Sequence, residues 1–363
     1  MSGTTSFLYH PDFLLYQFGP GHPFQPVRAI HTLETLMDAG IIDGVDAHIV
    51  EPEGVDMQDL NRVHPPAFVA QVENACAEYD LLDHGDTPGS PELFQGALMA
   101  VGASVRGARG IMEGEFEHAF NPAGGLHHAK PTSASGFCVF NDLAVTVQYL
   151  RERHGVERVA VIDIDGHHGD GTQGIFYGEK VLTISLHRHG HGFYPGSGTV
   201  DERGEGQGQG FNINIPLPAG TDDAHYLDAY RTVVVPALRA YAPEFIIHQF
   251  GADGHRQDPL VGLGLTTRTY VKVAAITHSL AHELCDGRYL VTGGGGYDLD
   301  ATRRTWSLMF AQVCGGSGTM GKLAVLHDRE VSRMNDEDAA LTEAITKEQE
   351  MVAVDMLERS MMR

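Results

Sequence analysis

Carboxylates and histidines cluster where one apolar run of the sequence ends. Asp163 and Asp165 close a β-branched run that begins at Arg158, and His167 follows in the next loop. Residues i and i+2 of a strand point to the same face, so Asp163 and Asp165 project together. A carboxylate oxygen and an imidazole nitrogen two residues apart suit a borderline metal such as Zn²⁺ or Fe²⁺. The segment therefore predicts a metal site.

A third ligand is available at a second strand end, where Asp253 follows the apolar run 245–250. Three protein ligands with one open position are typical of a catalytic metal, because structural metals are enclosed by four. The alternative is a set of loop carboxylates that cap helices, which a lone Asp-x-His pattern would favour. Two acidic strand ends, each surrounded by glycines, favour the metal.

Two adjacent histidines, His127 and His128, follow a glycine-rich turn. Such a pair could ligate a metal or act as acid and base, and the second role needs partners that fix each ring's tautomer. Asp163 and Asp170 are spare carboxylates for that purpose. A surface pair without a function is the alternative that the residues alone leave open.

Four consecutive glycines, 293–296, end another apolar run and precede Tyr297. A flexible turn is one interpretation. The other is a backbone that brings Tyr297 close to a ligand, since glycine allows close approach. There the phenol could donate a hydrogen bond to a developing oxyanion.

The elements that must position these residues alternate between short apolar runs and longer helical patterns, which predicts an α/β fold with a parallel sheet. We predict strands over 158–165, 181–187, 245–250 and 288–292, and helices over 26–40, 92–113, 142–153, 222–241, 266–285 and 300–313. The apolar stripe of the first helix is predicted to be Val27, Ile30, Leu33 and Met37. Ligands of parallel sheets bind at the carboxyl ends of the strands, where the polar clusters lie.

Charge and cysteine content exclude some functions. The 25 basic and 48 acidic residues give a formal charge of −23, which repels nucleic-acid phosphates and attracts cationic substrates such as Lys-rich peptides or polyamines. Solubility alone explains the charge equally well. Four separated cysteines without a C-x-x-C motif indicate a reduced, cytoplasmic protein, and we expect neither a signal peptide nor a membrane span.

Five motifs resemble the histone deacetylase family of the arginase–deacetylase superfamily. In the family's order they are GGLHHAKPTSASGFCVFND, VIDIDGHHGDGTQGIFY, ISLHRHGHGFYPGSG, HQFGADGH and GGGGY, and the match runs from Tyr9 to Cys314. The opening HPDFLLYQFGPGHPFQPVRAIHTLE is most similar to the bacterial acetoin-utilisation deacetylases. The resemblance implies a single-domain, arginase/deacetylase-like α/β fold, a mainly parallel central sheet with helices on both faces. We expect the catalytic domain at 1–325 and a charged, helical extension at 326–363.

The resemblance also implies catalytic roles. The metal, Zn²⁺ or alternatively Fe²⁺, would be bound by Asp165, His167 and Asp253. His128 would be general base and then general acid, and His127 an electrostatic partner and proton donor. The remaining catalytic residues would be Asp163 bonded to His127, Asp170 bonded to His128, and Tyr297 clasping the acetyl oxygen. A structural K⁺ would use Asp163, Asp165, His167, Ser185 and Leu186.

Substrate-binding residues follow from the same motifs. Phe137, with Gly136 beside it, would line an acyl tunnel, Leu260 would lie at the rim, and Asp86 would grip the substrate backbone. Arg28 would be a buried arginine. The sequence departs from the family at the second tunnel aromatic, which is Tyr194 instead of the usual Phe, and at residues 254–257. Both departures bear on specificity.

The function so implied is a zinc-dependent deacetylase of acetyl-lysine in proteins, with an acetyl-CoA synthetase of acetoin or acetate metabolism as a candidate substrate. An acetylpolyamine amidohydrolase would use the same machinery. A ureohydrolase would need two Mn²⁺ and D-A-H-x-D and S-x-D-x-D motifs, which are not found. A catalytically silent acetyl-lysine binding protein is the alternative of another class. The expected partner is acetylated protein or peptide lysine, or a small acetylated amine, without nucleic acid or membrane.

Overall fold

The computed structural model describes residues 4–42, 44, 46–83, 85–315 and 317–362. Within these, eight strands form one sheet: β1 Thr5–Leu8, β2 Ala47–Val50, β3 His118–Asn121, β4 Val159–Asp163, β5 Leu182–Arg188, β6 Asn212–Leu217, β7 Phe245–Gln249 and β8 Tyr289–Thr292. All neighbouring strands are parallel, in the order β2-β1-β3-β8-β7-β4-β5-β6. The predicted parallel α/β fold is confirmed.

Helices connect the strands. They are α1 Val27–Asp38, α2 Met57–Leu60, α3 Pro66–Ala77, α4 Pro91–Met112, α5 Asp142–His154, α6 Asp170–Phe176, α7 Asp223–Ala229, α8 Val235–Tyr241, α9 Thr267–Cys285, α10 Leu299–Val313, α11 Ser317–Lys322, α12 Asp336–Gln349 and α13 Asp355–Met361. Short π-helical turns at 230–234 and 350–354 join α7 to α8 and α12 to α13.

An apolar core lies on each face of the sheet. In β4, Val161 belongs to one core and Ile162 to the other, because successive side chains of a strand point to opposite faces. Strands buried on both faces are continuous apolar runs, which explains why β4, β5, β7 and β8 were predictable from the sequence.

Several elements differ from the prediction. The strands β1, β2, β3 and β6 were not predicted: three have only four residues, and the edge strand β6 contains Pro216. The stripe of α1 was predicted wrongly at Met37, which is 48% exposed, whereas Leu36 is buried. The helix turns its buried Arg28 inward instead, with the guanidinium over the rings of Phe24 and Trp306 at 4.2 and 5.1 Å.

The segment after residue 325 packs against the edge of the sheet. Gln349 is fully buried and donates from Nε2 to the backbone oxygen of Asn214 on β6 at 2.7 Å. Asp328 pairs with His255 at 2.8 Å and with Arg304 at 2.9 Å, so it contacts the loop in which the sequence departs from the family. The contact of Gln349 and the packing of α12 cover β6, whose edge would otherwise offer unpaired backbone groups.

All four cysteines are buried and free. Among the residues described by the structure, no helix combines the length and the apolar character needed to cross a membrane.

Candidate active site

The predicted site residues follow the carboxyl ends of four neighbouring strands. His127 and His128 follow β3, Tyr297 follows β8, Asp253 follows β7, and Asp165 and His167 follow β4. Adjacent parallel strands end at the same edge of a sheet, so residues distant in sequence meet there. The structure brings all six together.

The three predicted metal ligands converge in a buried position. Asp165, His167 and Asp253 each offer one ligand atom within 4.8 Å of the others. His167 Nδ1 lies 3.2 Å from Asp165 Oδ1 and 2.9 Å from Asp253 Oδ2. A neutral ring nitrogen can serve only one of these oxygens as a donor. Two carboxylates and one imidazole aimed at a common point are a donor set that fits a divalent cation.

The other oxygen of each carboxylate is already occupied. Asp165 Oδ2 accepts hydrogen bonds from Gln249 Nε2 and from the backbone N–H of Gly295, both at 2.7 Å. Asp253 Oδ1 accepts from the backbone N–H of Gly166 at 2.7 Å. These bonds orient the two carboxylates, as outer partners of metal ligands commonly do.

Electrostatics at this group also favour a cation. Burial disfavours charge, but hydrogen bonds and attraction to Asp165 and Asp253 raise the pKa of His167 to about 10. Burial and the neighbouring charge of Asp165 raise the pKa of Asp253 to about 7. Two buried carboxylates this close require positive charge between them.

The histidine pair lies beside the three predicted metal ligands, and each ring has its own carboxylate. His127 Nδ1 is 2.6 Å from Asp163 Oδ2, and His128 Nδ1 is 2.7 Å from Asp170 Oδ1. The two Nε2 atoms face one another at 3.1 Å. Lys130 also pairs with Asp170, at 2.9 Å. The carboxylates fix the Nδ1 protons, so the Nε2 atoms are available for acid–base work.

The two rings differ in protonation. Burial opposes charge on His127, but Asp163 and Asp165 raise its pKa to about 9. Burial and the nearby charge of His127 lower the pKa of His128 to about 3. One ring of the pair thus holds a proton that the other lacks, which is how environments separate acid from base.

The glycine-rich turn passes directly against the carboxylates. A Cβ at Gly295 would lie 2.2 Å from Asp253 Oδ2 and 3.1 Å from Asp165 Oδ2, so a side chain does not fit there. Two residues later, the Tyr297 ring packs edge-on against Phe137, with 6.0 Å between ring centroids. Burial and the charge of Asp253 raise the pKa of Tyr297, which keeps its hydroxyl protonated as a donor.

A cavity of about 490 Å³ is lined in part by three of the predicted substrate-binding residues, Asp86, Gly136 and Tyr194. Tyr194 is 41% exposed, its hydroxyl lies 2.6 Å from Ser135 Oγ, and its ring lies 5.0 Å from that of His128. Burial and Asp83 raise the pKa of Asp86 to about 6. Aromatic and acidic groups therefore lie together at the entrance.

The residues predicted to line the acyl tunnel occupy a strained segment. Gly136 and Phe137 both have positive φ, 53° and 66°. The hydroxyl of Tyr16 donates to the backbone oxygen of Phe137 at 2.7 Å and holds this conformation. Leu260 is 40% exposed beyond the site.

Of the predicted K⁺ residues, Ser185 pairs with Asp163 in the β4–β5 register, and Leu186 follows it in β5.

Three contributors were missed by the sequence reasoning. Gln249 orients Asp165, Asp258 accepts from the backbone N–H of Tyr297 at 2.8 Å, and the Phe193 ring stacks on His167 at 5.1 Å and 8°. A signal existed for Gln249, because a polar residue ending the apolar run of β7 lies at the functional edge. Phe193 adjoins Tyr194, but its stacking depends on tertiary structure.

The sheet and site define an arginase/deacetylase-like α/β protein. The histone deacetylase domain family matches residues 22–313. The chain belongs to the histone deacetylase family, whose members hydrolyse acetyl amides.

Similar proteins and a solved structure support the same family assignment. The acetoin utilization protein AcuC of Bacillus subtilis (strain 168) is 37% identical over 319 residues, which are 85% of this chain and 82% of the relative. A probable deacetylase of Archaeoglobus fulgidus is 33% identical over 300 residues, 82% of each chain. The crystal structure of the HDA15 HD domain has a TM-score of 0.84 and 28% identity, covering 100% of this chain and 98% of that chain.

Proposed function

We propose that the protein is a zinc-dependent lysine deacetylase that hydrolyses the acetyl amide of acetyl-lysine in proteins. The observation that carries the proposal is the convergence of two carboxylate-paired histidines on the donor set of Asp165, His167 and Asp253. The similarity to an acetoin utilization protein supports a substrate in acetoin or acetate metabolism, and an acetyl-CoA synthetase is our candidate.

Each side chain has a distinct task in amide hydrolysis. Asp165, His167 and Asp253 hold the metal, which supplies Lewis acidity towards the acetyl carbonyl and water. His128 accepts the proton of the attacking water through Nε2, with Asp170 fixing its ring. His128 then gives this proton from Nε2 to the departing amine as general acid, and His127, which Asp163 holds with its Nε2 atom 3.1 Å from that of His128, acts as the electrostatic partner and proton donor of the pair. The hydroxyl of Tyr297 donates a hydrogen bond to the oxyanion.

The entrance residues position the substrate. Asp86 accepts the backbone N–H groups of an acetyl-lysine peptide, and the aliphatic lysine stem lies between Phe137 and Tyr194, with Gly136 and Leu260 at the margins. A K⁺ bound by Asp163, Asp165, His167, Ser185 and Leu186 would brace the metal-bearing loop. We place the enzyme in the cytoplasm, in keeping with its free thiols, and assign catalysis to residues 1–325.

One metal-loaded preparation tests the proposal. We expect kcat/KM for an acetyl-lysine peptide to exceed that for acetylated spermidine, and chelation to abolish both activities until Zn²⁺ is restored. A preference for the polyamine would instead favour an acetylpolyamine amidohydrolase. Bound metal and bound peptide without turnover would contradict the enzyme and favour a binding protein.

A further inference from the structure

Three further histidines converge at the opposite end of the strands from the active site. His118 opens β3, while His278 and His282 lie one turn apart on α9. His278 Nε2 is 3.0 Å from His118 Nε2 and 3.0 Å from His282 Nε2, and the three ligand atoms lie within 4.8 Å of one another. None of these residues takes part in the proposed catalysis.

Hydrogen bonding among the rings does not account for this arrangement. A neutral imidazole nitrogen carries either one proton or one lone pair. His278 Nε2 therefore cannot make a full hydrogen bond to both neighbours. His118 is buried, and its Nδ1 has no hydrogen-bond partner among the residues described here. The three converging nitrogens therefore cannot all be paired with one another, and the cluster is left partly unsatisfied.

The spacing also suits a tetrahedral ion. Zn–N bonds of 2.0–2.1 Å imply neighbouring nitrogens about 3.4 Å apart, and the observed 3.0 Å pairs need only small shifts. Glu117 Oε2 lies 4.0 Å from His118 Nε2, outside the group of three, and would have to move closer to serve as the fourth ligand. A Cβ at Gly287 would lie 3.0 Å from the His282 ring, so glycine leaves room for the cluster.

We propose that His118, His278 and His282 bind a second divalent transition metal of the Zn²⁺ class, with Glu117 as the fourth ligand. Four protein ligands leave no open position, so this metal is structural and ties α9 to β3. Imidazole ligands select against Mg²⁺ and Ca²⁺, which take oxygen.

Equilibrium dialysis of the full chain against buffered free Zn²⁺, followed by elemental analysis, tests the site. We expect two Zn²⁺ per chain for the wild type and one for His282→Ala, whose side chain is exposed and not needed in the core. His278→Ala should also retain one. His31→Ala, which removes a partly exposed helical histidine outside the cluster, should retain two.

Folding and function are separated by two further readouts. The His282→Ala variant should keep the circular dichroism spectrum and the peptide kcat/KM of the wild type. Equal zinc content in the wild type and in both cluster variants would overturn the proposal, whatever the substrate of the active site. A ureohydrolase would bind two Mn²⁺ in its active site. An experiment that counts bound metal to exclude this class must therefore use the His282→Ala variant, because its one remaining metal belongs to the active site.

Discussion

Asp258 accepts the backbone N–H of Tyr297 through Oδ2 at 2.8 Å. Its other oxygen, Oδ1, accepts the N–H groups of Leu260 and Val261 at 2.9 and 3.3 Å. One buried carboxylate therefore holds the end of the glycine-rich turn and the rim loop in a fixed relation. Because four glycines confer little rigidity, the position of Tyr297 depends on this external anchor.

Replacing Tyr297 with Phe removes only the hydroxyl. We expect kcat to fall by about 10²–10³-fold, the usual cost of losing one oxyanion donor. Zinc content, measured by elemental analysis, should be unchanged, because Tyr297 is not a ligand. Near wild-type kcat in this variant would remove the hydroxyl from the mechanism.

Replacing Asp258 with Ala should lower kcat through the misplaced Tyr297 ring. Residues that act through one another are not additive, so Asp258→Ala should lower kcat much less in the Tyr297→Phe background than in the wild type. Steady-state kinetics of the four proteins form the cycle. Full additivity of the two losses would mean that Asp258 acts independently of Tyr297.

Replacing Gly295 with Ala should weaken zinc binding by an order of magnitude or more, since loss of metal-site support typically costs about 10–100-fold. The new Cβ would lie 2.2 Å from Asp253 Oδ2 and must displace that ligand. Gly174→Ala is the matched control, because among the described residues no atom other than its chain neighbours and its own helical backbone lies within 4 Å of its Cβ position. Competition with a chromophoric chelator measures both, and equal affinities would contradict the tight fit at Gly295.

Tyr194 and Ser135 should behave as one unit at the entrance. Tyr194→Phe and Ser135→Ala each remove the same 2.6 Å hydrogen bond, which bridges two loops. We expect both variants to shift the ratio of kcat/KM for butyryl-lysine and acetyl-lysine peptides in the same direction. Opposite shifts, or a shift in only one variant, would show that the bond does not set acyl preference.

His64 makes stability depend on pH. It accepts the N–H of Asn141 at 2.9 Å, and burial lowers its pKa from 6.5 to about 4. The folded protein thus excludes a proton that the unfolded chain binds below about pH 6.5. The stabilisation is complete above that pH and is lost as pH falls towards 4, by up to about 3 kcal/mol. Urea unfolding between pH 7.5 and 4.5 should show a steeper loss for the wild type than for His64→Gln, and parallel curves would refute the assignment.

Most residues of the site could be predicted from the sequence, but only half of the strands of the sheet could. Asp165, His167 and Asp253 were predictable because each follows a long apolar run, and such runs mark central strands. The strands β1, β2 and β3 were not, because four residues give too little periodicity to separate a strand from a loop. Met37 was misplaced because the buried face of α1 is set by Arg28 and its aromatic neighbours, a tertiary effect that hydrophobicity does not record.

The role of Asp258 and the His118 cluster could not be predicted from the sequence for a different reason. Asp258 acts through main-chain N–H groups of a turn far along the chain, and any carboxylate of a loop would look the same in the sequence. His278 and His282 have the spacing of a helical ligand pair, but His118 joins them only because β3 begins beside α9.

The site residues follow four adjacent strands, β3, β8, β7 and β4. Turnover therefore requires that all four strands have paired, and its onset indicates complete folding of the sheet. Fragments containing any two of these strands carry ligands, bases or the tyrosine, but never all of them in one place. A nascent or chaperone-bound chain with an unfinished sheet centre would therefore be inert, and catalysis would begin only with the last pairing. The same property makes a chain divided in an exposed loop suitable as a complementation sensor, since activity would return only when both pieces meet.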